Sequence, residues 1–428
     1  MVDKLERIIE QDGYDVHLIH TKKFKTIHLS LKFTTTLTRE NVTKRALLPY
    51  ILQQGTKNYP TAIKLRQHLD ELYGTVLSID SSKKGENHIL TIRLELPNEQ
   101  YIAGSQDLLN NGIDFLREVL YQPKVEDQSF DSAIVTREKQ TLQNKIDALK
   151  EDKMSFANNR MIEEMCKDEA YRLRVHGYEE DLDDITAEDM YKYYTNMLEN
   201  DHLDVFVLGD IEGLPVEEKI TNLIDGGRRQ PAIQKDKKVV QPTEQTIIEE
   251  DDLNQAKLHF GYRTNITYDD PAYPALHVFN GLFGGFPSSK LFMNVREKHS
   301  LAYYAASRIE SHKGLMFVFS GIGPDQYDKA REIILEQMEQ MRQGQFTDTD
   351  LLETKEMTIN QLRETLDNPQ GMIELHYQSV LAQSTLSPNN LLENVKHVTK
   401  EQVIEVANQI QLDTVYLLTS KEAAQNEA

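Results

Sequence analysis

The two halves of this chain carry the same order of sequence patterns. Apolar residues alternate with polar ones over residues 27–33 and again over residues 258–262, as expected for half-buried strands. Late in each half a threonine, Thr186 or Thr399, precedes a residue that can close a helix capping box three positions later. Two copies of one α+β unit explain this order better than a solenoid, which would need shorter and more numerous repeats.

We therefore predict an α+β fold of two homologous α/β-sandwich domains, each an antiparallel sheet packed with helices, related by internal duplication. The chain of 428 residues is long enough for two domains of about 200 residues, each with its own core. The domains are expected at residues 1–212 and 246–428. Residues 213–245 are interpreted as a linker, because the centre of this segment is rich in glycine, proline and basic residues.

Charge and cysteine content exclude several classes of function. The formal net charge of −21 disfavours nucleic acid and anionic membrane as partners and favours cationic peptides or a basic protein. Cys166 is the only cysteine, which excludes an internal disulfide and a thiolate metal site. The sequence shows no secretory signal pattern and no apolar run near the roughly 18 residues of a membrane helix. We expect a cytoplasmic protein.

Residues 280–307 form the most distinctive local pattern. The glycine-rich segment at its start predicts a turn whose backbone can approach a ligand closely, with Gly281, Gly284 and Gly285 as possible substrate contacts. A turn that only leads into the next helix is the alternative. Downstream, a short helix and then a strand are predicted, joined by a tight corner near residue 300. Arg296 and Tyr303 lie on either side of this corner, so a guanidinium and a phenol can converge there.

The segment from Ser289 to Tyr303 resembles the second-domain motif of the insulinase-like (pitrilysin) metallopeptidases, closest to the branch of mitochondrial processing peptidase. The resemblance extends over nearly the whole chain through the duplicated layout. It implies a pair of related α+β domains, with two such pairs facing each other around a closed chamber. It also implies that Arg296 and Tyr303 are the substrate-binding pair of the family. Without the resemblance, a surface salt bridge for Arg296 and a packing role for Tyr303 would be the expected interpretation.

The first half departs from this family at its zinc motif. Active members carry H-x-x-E-H, in which two histidines hold zinc and the glutamate activates water. When the motif is aligned through residues 55–56, its three chemical positions fall on Ala46, Pro49 and Tyr50, and the distant carboxylate ligand falls near Thr136. None of these side chains replaces the group that the motif requires. We therefore expect no metal in this chain.

The histidines offer no replacement for the missing motif. None of them is arranged as H-x-x-E-H or H-E-x-x-H. His17 and His20 lack a carboxylate partner at helical spacing, and His28 lies in a predicted strand. We interpret all three as surface or packing residues. Serine, cysteine and lysine nucleophile motifs, dinucleotide loops and phosphate loops are also absent from the sequence.

The resemblance then implies two possible roles. In the first, the chain is the non-catalytic subunit of a heterodimeric zinc metallopeptidase and supplies Arg296 and Tyr303 to a homologous partner that holds H-x-x-E-H, zinc and the peptide substrate. In the second, it is a non-proteolytic scaffold or assembly protein of the same fold. Family naming associates such bacterial pairs with modification of elongation factor P, which the sequence cannot test.

Overall fold

The computed structural model describes residues 6–104, 107–225, 230–233 and 242–421. It divides into two compact units, one formed by residues 1–148 and 173–234 and the other by residues 149–172 and 235–428. Each unit combines one large, mainly antiparallel sheet with helices, which confirms the predicted α+β class and duplicated layout. No helix of the described part of the chain is both long and apolar enough to cross a bilayer.

The first unit is organised around a six-stranded sheet of order β1-β2-β8-β3-β5-β4, in which only the β2–β8 pair is parallel. A two-stranded ribbon, β6–β7, accompanies it. The strands are β1 Glu6–Gln11, β2 Tyr14–His20, β3 Thr26–Thr36, β4 Val76–Lys84, β5 Asn87–Pro97, β6 Val125–Glu126, β7 Ser129–Phe130 and β8 His202–Gly209. The α-helices that begin in this unit are α1 Val42–Leu52, α2 Ala62–Glu71, α3 Leu108–Tyr121, α4 Ser132–Glu151, α6 Ala187–Asn200 and α7 Val216–Thr221.

The second unit contains a five-stranded sheet of order β11-β12-β10-β13-β9. Its strands are β9 Gln245–Glu250, β10 Ala256–Arg263, β11 Ala302–Glu310, β12 Leu315–Ile322 and β13 Gln411–Thr419. Its α-helices are α5 Lys153–Met165, α8 Tyr273–Asn280, α9 Tyr327–Arg342, α10 Asp348–Leu366, α11 Pro369–Leu381, α12 Pro388–His397 and α13 Lys400–Gln409. Two π-helical segments, Gly281–Gly285 and Phe292–Lys298, precede β11. Thr186 and Thr399 form the predicted capping boxes of α6 and α13.

The unit to which helix α5 belongs differs from the predicted domain division. It precedes residue 212 in sequence, yet it packs against β10 and β13 and belongs to the second unit. Alternation along β12 explains why this is favourable: Met316 and Val318 face the main core of the unit, whereas Phe317 and Phe319 face the cluster to which α5 contributes. Arg160 of α5 adds a charge-assisted bond of 3.0 Å to the Glu249 carboxylate of β9. Helix α5 therefore gives this sheet its second apolar cover.

The segment predicted as a linker is partly structured. Its beginning contains α7, and the side chains of Val216, Ile220 and Leu223 are buried in the core of the first unit. The linker prediction was therefore wrong for this part, because the spacing of these apolar residues produces one amphipathic turn that packs on the core. The basic centre of the predicted linker, at residues 226–229 and 234–241, lies outside the described residues.

Acid sensitivity of the second unit can be predicted from His259 on β10. This side chain is 0% exposed, neither ring nitrogen has a hydrogen-bond partner, and burial, with a smaller contribution from Lys257, lowers its pKa to about 3. In the unfolded chain His259 takes up a proton near pH 6.5, whereas in the folded chain it stays neutral until the pH approaches 3. The free energy of unfolding therefore falls as the pH is lowered below 6.5. By pH 5 the loss from this residue is about 2 kcal/mol. Urea unfolding of His259→Gln should show that much less acid destabilisation; an unchanged pH dependence would contradict the assignment.

Candidate functional site

Helix α1 carries the positions that correspond to the zinc motif. Ala46 and Pro49 are buried, and Tyr50 is half-buried against the core of the first unit. Alanine and proline side chains hold no donor atom for a metal, and the proline offers no carboxylate that could activate water. The residues present at these three positions therefore do not fit a zinc ion.

The third metal position is predicted near Thr136, and a buried carboxylate lies close to it on α4. Thr136 is exposed, and its hydroxyl donates back to the Ser132 carbonyl oxygen at 2.8 Å. Glu138, two residues further along α4, is only 4% exposed. Burial raises the pKa of the Tyr50 phenol, and the charge of Glu138 raises it further. Glu138 is thus the buried carboxylate of α4 whose charge acts on one of the motif positions of α1.

A buried ion pair anchors α1. Arg45 is 0% exposed and donates to Asp201 at 2.7 Å, to the hydroxyl of Tyr193 at 2.9 Å and to the carbonyl oxygen of Phe33. Burial alone would lower the pKa of this guanidinium, but Tyr193 and Asp201 raise it above its ordinary value. The helix is therefore fixed by a charge-assisted network that needs no metal.

The glycine-rich segment is helical, so the predicted turn was wrong. Residues Gly281–Gly285 continue α8 as a π-helical stretch, and Gly281 and Gly284 are buried while Gly285 is exposed. A Cβ on Gly281 would lie 2.6 Å from Thr354 Cγ2, and one on Gly284 would lie 2.7 Å from the Ser307 backbone nitrogen. Close packing against α10 and β11, rather than a left-handed backbone, explains these two glycines.

Arg296 and Tyr303 lie on neighbouring elements, as predicted. Arg296 belongs to the π-helical segment Phe292–Lys298, which packs against β11, and β11 carries Tyr303. Ser300 turns the chain between them with a φ of 51°. The register of β11 with β12 shifts between residues 302 and 304, so Tyr303 lies in a bulge of an edge strand, a feature that redirects side chains near functional sites.

Both side chains are accessible. Tyr303 is 73% exposed, and its hydroxyl makes no hydrogen bond within the described residues. The guanidinium of Arg296 lies 4.6 Å from the centre of the Phe292 ring and 3.7 Å from Glu297, and its side chain is 43% exposed. An exposed ion pair such as that of Arg296 with Glu297 is weak. The guanidinium can therefore leave Glu297 and bind another anion or a carbonyl oxygen. The site offers a guanidinium and a phenol as hydrogen-bond donors.

The interpretation of His17 as a surface or packing residue was incomplete. His17 is buried, with Nδ1 2.8 Å from Glu6 and Nε2 3.2 Å from Asp204. Burial would lower its pKa, but the two carboxylates outweigh burial and raise it to about 9. His28 fits the original interpretation, since burial lowers its pKa to about 4 and its ring lies 2.7 Å from the Thr26 hydroxyl and 3.8 Å from the Glu95 carboxylate. The carboxylate partners of His17 come from other strands, so sequence spacing could not reveal them.

Comparison with known proteins places this architecture among peptidase homologues. The family described as "Peptidase M16 inactive domain" matches residues 184–358. The Bacillus subtilis protein named "Probable inactive metalloprotease YmfF" is 47% identical over 416 residues, which cover 96% of this chain and 97% of that protein. A conserved protein from Enterococcus faecalis, known from its crystal structure, is 33% identical, with a TM-score of 0.88 and coverage of 98% of this chain and 99% of that one.

A more distant relative, "Uncharacterized zinc protease YmxG" of Bacillus subtilis, is 26% identical over 166 residues, which cover 38% of each chain. The fold and the site define the class as a two-unit peptidase homologue whose metal-binding helix has lost its ligands. The chain belongs to the peptidase M16 (insulinase-like) family, as a degenerate member without the zinc motif.

Proposed function

We propose that this chain is the non-catalytic subunit of a heterodimeric zinc metallopeptidase and supplies Arg296 and Tyr303 to a homologous partner. The observation that carries the proposal is the contrast between its two halves: the metal positions on α1 hold alanine, proline and tyrosine, whereas the Arg296–Tyr303 pair remains accessible. The partner would hold the zinc ion, and this chain would hold no catalytic cofactor. We retain the expectation of a cytoplasmic location.

The chemistry of the pair suits a peptide substrate. The Tyr303 hydroxyl, directed outward from the bulge of β11, would donate a hydrogen bond to the substrate carbonyl oxygen, and the bond would strengthen as negative charge develops there. Arg296 would bind a neighbouring backbone carbonyl or share the same charge. The net charge of −21 favours peptides that carry basic residues.

The relatives support a two-chain arrangement. Bacillus subtilis contains both a relative named as an inactive metalloprotease and a second relative named as a zinc protease. The corresponding test uses this chain and a homologue with an intact H-x-x-E-H from the same organism, each alone and mixed, on fluorogenic peptides with basic residues. We expect cleavage that requires both chains and zinc. Cleavage by the homologue alone at the rate of the mixture would contradict the proposal and favour the scaffold role.

Substitution of Tyr303 separates the two roles further. Tyr303→Phe removes only the hydroxyl, and loss of one such donor lowers the rate by about 10²- to 10³-fold. We expect that loss in the turnover of the mixed complex, with its assembly on size-exclusion chromatography unchanged. Tyr73→Phe is the matched control, because Tyr73 is also exposed, at 53%, but belongs to the first unit. If both variants leave the rate unchanged, Tyr303 has no part in the reaction.

A further inference from the structure

We propose that Asp15, His202 and Asp204 of the first unit form a binding site for a divalent transition-metal ion, best matched by zinc. None of these residues belongs to the positions on α1 and α4 that correspond to the family's zinc motif. Asp15 lies on β2, and the other two lie on β8. The site thus joins two strands that are far apart in sequence.

The geometry of the three side chains suits one small ion. Asp15 and Asp204 are partners in the parallel β2–β8 register, and His202 precedes Asp204 by two residues, on the same face of the strand. One ligand atom from each residue can be chosen so that all lie within 4.8 Å of one another. His202 Nε2 lies 3.3 Å from Asp204 Oδ2. Two ligands of a tetrahedral zinc ion, each about 2.0 Å from the metal, are separated by about 3.3 Å.

Hydrogen bonds around the site orient the His202 ring and one oxygen of Asp204. Asp204 is 0% exposed, and its Oδ1 accepts from His17 Nε2, while its Oδ2 has no hydrogen-bond partner. His202 Nδ1 lies 2.9 Å from the Pro231 carbonyl oxygen, so this nitrogen carries the proton and donates it. His202 Nε2 lies 3.3 Å from Asp204 Oδ2 and 3.4 Å from the side-chain nitrogen of Gln230, and a bound metal ion would displace these two contacts. Histidines that ligate a metal through one ring nitrogen usually donate a hydrogen bond from the other ring nitrogen, often to a backbone carbonyl oxygen.

The charges of the side chains are compatible with a cation. Asp15 and Asp204 are register partners on adjacent strands, and His17 contacts both Asp204 and Glu6. A divalent cation would compensate the negative charge of the two carboxylates. One imidazole and two carboxylates are ligands that zinc accepts, with water completing the shell.

The site can be tested with the purified full chain and the metal alone. We expect wild-type protein to bind one Zn²⁺, and to bind Co²⁺ with visible absorption typical of a low-coordinate ion. Asp15→Asn and His202→Gln should each weaken binding at least about tenfold, since changes in a metal shell cost that much or more. Asp15 and His202 are only partly buried, so both variants are expected to remain folded, which circular dichroism would verify.

His20→Gln is the control, because His20 lies in the other carboxylate-rich group, with Asp210 and Glu212, where both imidazole–carboxylate distances are 3.9 Å. Unchanged affinity in this variant, with loss in the two ligand variants, supports the proposal. Absence of saturable Zn²⁺ and Co²⁺ binding, equal affinity in all variants, or loss only in His20→Gln would overturn it.

Discussion

Replacement of Arg45 by methionine is expected to destabilise the first unit by about 3–5 kcal/mol, because it removes the cation of a buried ion pair while the Asp201 carboxylate stays buried. Methionine fills much of the same volume but cannot donate to Asp201, Tyr193 or the Phe33 carbonyl oxygen. Asp201 is 5% exposed, so its charge has little access to water. The effect would be measured as a shift of the urea unfolding transition, followed by circular dichroism.

Arg39→Met is the matched control for this prediction. Arg39 also pairs with a carboxylate, Asp181, at 2.6 Å, but its side chain is 43% exposed. An exposed pair of this kind contributes about 0–1 kcal/mol. Adding Asp201→Asn to the Arg45→Met variant should recover part of the lost stability, because a neutral amide costs less to bury than a carboxylate. Equal loss of unfolding free energy in Arg45→Met and Arg39→Met would show that burial of the ion pair does not determine the size of the loss.

Local patterns in the sequence were sufficient to predict individual strands and helix starts. The period of two over residues 27–33 predicted β3, because one face of that strand lies in the core and alternation is visible in a single segment. Thr186 and Thr399 marked helix starts for a similar reason, since a capping box depends only on residues three positions apart. The accessible pair at Arg296 and Tyr303 was predictable because both flank a single corner.

Features that depend on distant partners could not be predicted in this way. The amphipathic pattern of α5 shows that it is a helix, but nothing in that pattern states which sheet it covers. The buried glycines at residues 281 and 284 are explained by Thr354 and Ser307, which contact them from other elements. In the same way, Asp15 and Asp204 become neighbours only through the pairing of β2 with β8.

The third metal position shows the same limit on a smaller scale. Alignment from residues 55–56 placed it near Thr136, whereas the structure shows a buried carboxylate, Glu138, two residues further along α4. Residues two apart on a helix point to different sides, so the two positions are not equivalent. With Glu138 as the carboxylate ligand, the two histidines of α1 are the groups that must be added for zinc binding.

We therefore expect that Ala46→His combined with Tyr50→His creates a zinc site with Glu138. Positions 46 and 50 are four residues apart on α1 and share one helical face, and two histidines with one glutamate form a known zinc shell. The experiment uses the Asp15→Asn background, in which zinc binding at the proposed β2–β8 site is expected to be weakened. Isothermal titration should show one Zn²⁺ site per chain that the Asp15→Asn protein without the two histidines lacks.

Two further variants decide which residue of α4 completes this site. Adding Glu138→Gln to the double-histidine protein should abolish zinc binding, because a neutral amide is a poor ligand for the ion. Adding Thr136→Glu to that triple variant should not restore binding, because the side chain at position 136 is exposed to solvent, whereas the side chain at position 138 is buried. Rescue by glutamate at position 136 would support the alignment that places the ligand there. Binding that persists without the carboxylate at 138 would show that Glu138 is not a ligand. With binding established, Pro49→Glu supplies the missing general base and tests whether the first unit can again support hydrolysis.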